Sequence, residues 1–138
     1  MTDCVFCRII SGDLPGRIVY QDEHTAAFMD TAGDVDGHML VIPKKHCRNI
    51  PDCDPDTFNA VMRTVRNISV HLTKNCGYDG INLLHASGES AGQSVPHFHI
   101  HLIPRKQGDQ INAWPVFEGA KQDIGTLFSS IKMEQDSL

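Results

Sequence analysis

His97-Phe98-His99-Ile100-His101-Leu102-Ile103, bounded by Pro96 and Pro104, decides how this chain is read. Three imidazoles alternate with apolar residues, and successive side chains of a strand point to opposite faces. The alternation predicts one strand, with His97, His99 and His101 in a row on one face. Phe98, Ile100 and Leu102 would then lie on the other face, against a core. Neutral imidazole is a base, a nucleophile and a metal ligand near pH 7. Three of them in register predict a functional site rather than a solvated strand.

Outward from that strand, Ala86 to Ser94 is a small-residue loop containing Gly88 and Gly92, and Gly80 to Leu84 reads as a further strand. Upstream, Asp54-Pro55 is a helix start, an N-cap acid followed by proline at the first helical position. Phe58, Val61, Met62, Val65, Ile68 and Leu72 follow at the 3.6-residue period, and Asn75 to Gly77 closes this one long helix. Near the start of the chain, Val5, Phe6, Ile9 and Ile10 predict a short helix over Cys4 to Ser11, ended by Gly12 and Pro15. Arg17–Gln21 and Thr25–Asp30 read as a hairpin around Asp22-Glu23-His24, and His38–Ile42 as an apolar strand stopped by Pro43. Beyond Pro104 come a polar loop, Trp114-Pro115 and a C-terminal helix near Gln122 to Met133. Strands and helices do not alternate regularly, so the pattern predicts an α+β domain with a mainly antiparallel sheet.

The 138 residues predict a single domain, 1–138, with one substantial core. Apolar residues make up 41% and charged residues 21%, the balance of an ordinary soluble globular protein. A net charge of −5 excludes a global basic field for nucleic acid, although Lys44, Lys45 and Arg48 form a short basic patch. No apolar run reaches the length of a membrane span, and the N-terminus lacks the layout of a secretory signal. The expected setting is the cytoplasm, with neither membrane nor nucleic acid as partner. Five cysteines (Cys4, Cys7, Cys47, Cys53, Cys76) form an odd set without secretory context, which argues against a disulfide framework. Cys4-x-x-Cys7 instead has the spacing of a zinc half-site or a redox pair.

Three uses of the histidine row compete. Same-face neighbours on a strand are about 6.6 Å apart and can share a metal, but positions i and i+4 are about 13 Å apart. All three histidines therefore cannot converge on one ion without a sharp bend, while a metal on His97 and His99 with ligands from elsewhere stays open. The second use is covalent catalysis, for which the central His99 has a partner on either side. Gly88 and Gly92 would let backbone amides turn towards an anionic group, and Gln93 and Ser94 add side-chain donors. The third is a module that binds a phosphate or a metal without turnover.

The residues His97 to Ile103 match the H-φ-H-φ-H-φ-φ signature of the histidine triad (HIT) family. The resemblance extends to Cys4-Val5-Phe6-Cys7-Arg8-Ile9-Ile10 with Gly12 and Pro15, to Gly37-His38-Met39-Leu40-Val41-Ile42-Pro43-Lys44-Lys45-His46, and to Ala91-Gly92-Gln93-Ser94-Val95. The last of these is similar to the Hint branch. Together the matches cover residues 4 to 104 in order. The resemblance implies a five-stranded antiparallel sheet with one long helix and short N- and C-terminal helices, in a homodimer. It also implies hydrolysis or transfer at the α-phosphate of purine nucleotide conjugates (AMP- or GMP-like), such as nucleoside phosphoramidates, adenylated lysine or dinucleoside polyphosphates. In that scheme His99 attacks phosphorus to form a nucleotidyl-histidine, and water releases the nucleoside monophosphate. His101 contacts the phosphate and leaving-group side, His38 supports the hydrogen bonding, and Ser94 and Gln93 hold the phosphate. No metal takes part in the reaction.

By the same resemblance Phe6, Ile9 and Phe28 line the base and Asp30 holds the ribose hydroxyls. Cys4, Cys7, His46 and His97 match a structural Cys2His2 zinc site, which would tie the N-terminal helix to the sheet. Ala86 departs from the pattern, because the Hint branch has asparagine there and the Fhit branch glutamine. One phosphate or leaving-group contact would pass to another group, such as Ser87 or water. Trp114-Pro115 is similar to the Hint C-terminal region, which reaches the partner's active site; capping of the chain's own core is the other reading. The remaining histidines, His24, His71 and His85, receive no role. A nucleotide-binding regulatory or scaffold protein and a two-histidine metalloenzyme are the competing functions.

Overall fold

The computed structural model describes residues 3–134. Their order is α1 (Val5–Ser11), β1 (Ile18–Gln21), β2 (Thr25–Met29), β3 (Met39–Pro43), α2 (Pro55–Asn75), β4 (Gly80–Leu84), a 3-10 turn (Glu89–Ala91), β5 (Ile100–Arg105) and α3 (Ile124–Ile131). The five strands form one antiparallel sheet in the order β1-β2-β3-β5-β4. This is the expected α+β architecture with a five-stranded antiparallel sheet. No helix among the described residues is long and apolar enough to cross a membrane.

Two cores sandwich the sheet. The Asp54 carboxylate caps α2 by accepting from the Thr57 amide, with Pro55 in the first turn, as the sequence predicts. The buried stripe of α2, Val61, Val65, Ile68 and Leu72, meets Ala27, Met39, Val41, Phe98, Ile100 and Leu102. A buried 2.7 Å bond between the Thr25 and Thr64 hydroxyls crosses the same interface. On the opposite face Ala26, Phe28, Leu40 and Ile42 pack under α1 through Cys4 and Phe6. β2 and β3 are therefore covered on both sides, which accounts for their near-continuous apolar runs.

α1 starts with Cys4 as its cap: Sγ accepts from the Cys7 amide at 3.2 Å, so the C-x-x-C spacing coincides with the N-cap-to-N3 spacing of a helix. Gly12, at φ +87, closes the helix by donating to the Ile9 carbonyl.

One expectation is corrected. The strand carrying the triad begins at Ile100 and not at His97, and it continues through Pro104 to Arg105. Only Ile100, His101 and Leu102 pair with β3. Upstream, the Phe98 amide donates to the Cys47 carbonyl at 2.7 Å, and the His97 ring takes the Pro43 carbonyl. These bonds lead the chain out of the ladder. At the other end Pro104 pairs with Ile81 beyond the last residue matched to β3. Gly37 lies against that proline at φ +81, where a Cβ would come within 2.6 Å of Pro104 Cγ. The other strands agree to within a residue or two, and the C-terminal helix is shorter than expected at Ile124–Ile131.

Candidate functional site

The end of the sheet where β5 leaves the ladder brings most of the expected residues together, in two clusters. His97 is fully buried. Its Nε2–H donates to the Pro43 carbonyl at 2.9 Å, which leaves Nδ1 as the lone pair. That nitrogen lies 3.3 Å from Cys4 Sγ, 3.5 Å from Cys7 Sγ and 3.1 Å from His46 Nδ1, and Cys7 Sγ is 3.4 Å from His46 Nδ1. All four ligand atoms fall within 4.8 Å of one another. Metal–sulfur bonds of about 2.3 Å and metal–nitrogen bonds of about 2.0–2.1 Å set tetrahedral edges close to these separations. The Pro43 carbonyl fixes the tautomer that ligation needs. Burial also pushes the His97 pKa down to about 4, so the ring is neutral. Burial and the neighbouring Cys4 thiol push Cys7 up to about 11. A bound dication reverses that bias and favours the thiolate. The donor set fits a metal, and all five cysteines are free of disulfides.

His99 belongs to the second cluster. Its Nδ1–H donates to the His97 carbonyl at 2.7 Å, which leaves Nε2 unprotonated. The ring is 7% exposed and lies edge-on to Phe6 at 5.1 Å. Behind it a polar line runs from Asp34 to His38 to His101. His38 Nδ1 meets Asp34 Oδ1 at 2.9 Å, and His38 Nε2 meets His101 Nδ1 at 2.9 Å. With the carboxylate accepting from Nδ1–H, His38 Nε2 accepts from His101 Nδ1–H, and His101 Nε2 is left as an open base. Burial lowers the pKa of His99, and burial with the neighbouring His99 and His38 lowers that of His101 to about 4.

A cleft of about 850 Å³ opens in front of these rings. Phe6, Ile9 and Phe28 form its apolar wall, Asp30 lies to one side, and Ser94, His99 and His101 complete it. An apolar slot beside polar, convergent groups is the form of a small-molecule site.

Gln93 sits beside the cleft, not in it. Its Oε1 accepts from the Gly88 amide at 2.8 Å, and Nε2 donates to the Arg48 and Val95 carbonyls, so it shapes the loop. His38 is buried behind His101 and is bonded to its Nδ1. Ser87 does not stand in for the missing amide at Ala86, because its hydroxyl is bonded to His85 Nε2 at 2.5 Å and accepts from the Ile50 amide. Trp114 is 68% exposed, so it does not cap the chain's own core. Lys44 and Lys45 share a separate cleft with Glu23, Asp56 and Arg63, and Lys45 is paired with Asp54 at 2.9 Å.

Two residues carry roles that sequence reasoning missed. His85 Nδ1 donates to the His99 carbonyl at 2.9 Å, and its ring packs on Phe98 at 5.2 Å. It buttresses the backbone of the central histidine. Asp34 orients His38; an acid four residues before a histidine was the only available signal.

The family model for the HIT domain matches residues 11–108. The chain is 32% identical to adenosine 5'-monophosphoramidase HNT1 of Saccharomyces cerevisiae, over 93% of this chain and 80% of that protein. It is 41% identical to adenylylsulfatase HINT3 of Arabidopsis thaliana, over 78% of this chain and 54% of that protein. Among solved structures, a zinc-bound histidine triad family protein from Mycobacterium smegmatis superposes with a TM-score of 0.75, at 34% identity and 81% coverage of each chain. The chain belongs to the HIT domain family.

Proposed function

We propose that this protein is a nucleotide hydrolase or transferase acting at the α-phosphate of purine nucleoside phosphoramidates or related conjugates. The observation that carries this reading is the unprotonated Nε2 of His99, held by its Nδ1 bond to the His97 carbonyl at the floor of the cleft. The base lies against Phe6, Ile9 and Phe28, the ribose hydroxyls meet Asp30, and the phosphate sits between Ser94 and the two histidines. The His99 Nε2 lone pair attacks phosphorus, a P–Nε2 bond forms, and the bond from phosphorus to the leaving amine breaks. The amine departs with a proton from a cleft water, and the hydroxide so formed takes back the proton that His101 picks up in the second step, so the cluster ends neutral. Water then attacks phosphorus, Nε2 leaves, and the water's proton passes to His101 Nε2. Two displacements at an activated centre replace one difficult step. The phosphoramidase and adenylylsulfatase relatives support the substrate class.

Zinc at Cys4, Cys7, His46 and His97 belongs to the same reading. It would fasten α1 to the end of β3 and to the chain that carries His99. The nucleotide site needs no metal for the two displacements.

The test is release of nucleoside monophosphate from adenosine phosphoramidate by the purified chain. Tight binding without release would replace the hydrolase by a nucleotide-binding protein. Activity that vanishes on chelation while the fold persists would point to a metalloenzyme. The rate should also report neutral rings. His99 and His101 are both lowered below the ordinary histidine value of 6.5, His101 to about 4. Protonation removes the attacking lone pair, so the rate is expected to stay level from pH 8 down through 6.5 and to fall only in more acidic solution. A midpoint at or above 6.5 in a pH–rate profile would contradict the buried, neutral cluster.

A homodimer of the cytoplasm completes the proposal. Val116, Phe117, Ile124 and Ile131 are 93%, 75%, 84% and 73% exposed, and the eight-residue α3 buries none of its side chains. So short a helix is held by packing and not by propensity, and a second copy would supply that packing. Sedimentation equilibrium is expected to give twice the chain mass; a monomer at micromolar concentration would remove the claim.

A further inference from the structure

We propose that Asp30, His38 and His101 form a second metal site, sharing no residue with the cysteine cluster, which takes a zinc-class divalent cation when the nucleotide cleft is empty. His38 Nε2 lies 2.9 Å from His101 Nδ1 and 3.6 Å from Asp30 Oδ2. One ligand atom from each of the three residues falls within 4.8 Å of the others. An ion about 2.0–2.1 Å from each donor sets tetrahedral edges of about 3.3 Å, between the two separations seen here. Small side-chain rotations bring the donors to that geometry. The set is also preoriented. Asp34 accepts from His38 Nδ1–H at 2.9 Å, which directs the Nε2 lone pair at the other two groups. A carboxylate behind a ligating imidazole is the usual outer shell of a zinc-type site.

The donor chemistry selects the ion. Two imidazoles and one carboxylate suit Zn2+, Co2+ or Ni2+, whereas Mg2+ and Ca2+ require mostly oxygen ligands. Three protein donors leave a fourth position of a tetrahedral ion for water. In the metal-free cluster His101 Nδ1–H donates to His38 Nε2. Binding displaces that proton from Nδ1, and it is carried on His101 Nε2 instead, so no net proton is lost. The ion thus occupies Asp30 and turns the cleft-facing nitrogen of His101 from an acceptor into a donor. Cation and nucleotide would exclude one another. This inhibitory consequence rests on the nucleotide reading above; binding of the ion does not.

The experiment uses the full chain preloaded with one equivalent of zinc and titrated with Co2+. The expected result is a saturable visible d–d absorption from low-coordinate Co2+, reaching one further equivalent, without the near-ultraviolet thiolate charge-transfer band. AMP should raise the Co2+ concentration needed for half saturation. Asp30→Ala should abolish the band, and Asp34→Asn, which removes the carboxylate that orients His38, should weaken binding about tenfold or more. If Asp30→Ala does not fold, Asp34→Asn alone decides. Absence of a second band, a band carrying thiolate charge transfer, or one indifferent to AMP or to Asp34→Asn would overturn the proposal. In the activity arm, zinc in excess of the first equivalent should raise KM for the phosphoramidate at constant kcat, with Mg2+ inert. A chain that never turns over phosphoramidate would sink the functional reading while the Co2+ titration still judged the site.

Discussion

His99→Ala is expected to lower turnover of adenosine phosphoramidate by roughly 10,000-fold or more, with nucleotide binding largely kept. That loss corresponds to about 5 kcal/mol of transition-state stabilisation. The other groups cannot replace it. His101 Nε2 lies along the same row, but its ring is committed through Nδ1 to His38. Water attacking directly would face the whole displacement in one step. The substitution removes the ring's edge contacts with Phe6 and His101 and its Nδ1–H bond to the His97 carbonyl, but no bond between two main-chain groups. Affinity for AMP, measured by calorimetry, should therefore change far less than kcat. A variant that keeps its rate to within tenfold would remove His99 as the nucleophile.

The second large effect concerns the cysteine cluster. Cys4→Ser/Cys7→Ser is expected to abolish metal binding, from one equivalent per chain to near none, and to destabilise the fold. Serine at position 4 is a better helix cap than cysteine, so α1 keeps its start and the loss reports the metal. With free metal at about 1,000 times its Kd, binding contributes about 4 kcal/mol, which for a chain of this size is a fall in Tm of roughly 10–15 °C. Elemental analysis and thermal unfolding measure the two quantities together. Protein purified without chelator that holds no metal, or a double variant with unchanged Tm, would contradict the assignment.

The parts of the fold that local chemistry writes were legible in the sequence. Asp54 and Pro55 announced α2, Gly80 to Leu84 announced β4, and the alternation around His99 correctly placed Phe98, Ile100 and Leu102 in the α2 core. What escaped was decided at long range. The start of β5 depends on the Cys47 carbonyl taking the Phe98 amide and on His97 taking the Pro43 carbonyl, bonds between segments some fifty residues apart. No periodicity registers such a partner. Likewise Cys7 and His46 are separated by 39 residues, and only the resemblance to a known family joined them before the structure did. Gln93 looked like a phosphate donor because it is polar and beside glycine, yet the Gly88 amide and two carbonyls claim its amide group. His85 looked idle because its partner is a main-chain carbonyl, which leaves no trace in the sequence.

That same kind of partner holds the central histidine, with an evolutionary corollary. The carbonyl that sets the tautomer of His99 is supplied by residue 97 whatever its side chain is. A codon change at position 97 can dissolve the cysteine–histidine cluster without erasing the hydrogen bond that arms its neighbour two residues on. Lineages are thus free to lose the metal, or to repack its place with apolar residues, without inventing a new way to aim the nucleophile. The staple and the reaction are heritable separately, although one short run of chain just before β5 carries both.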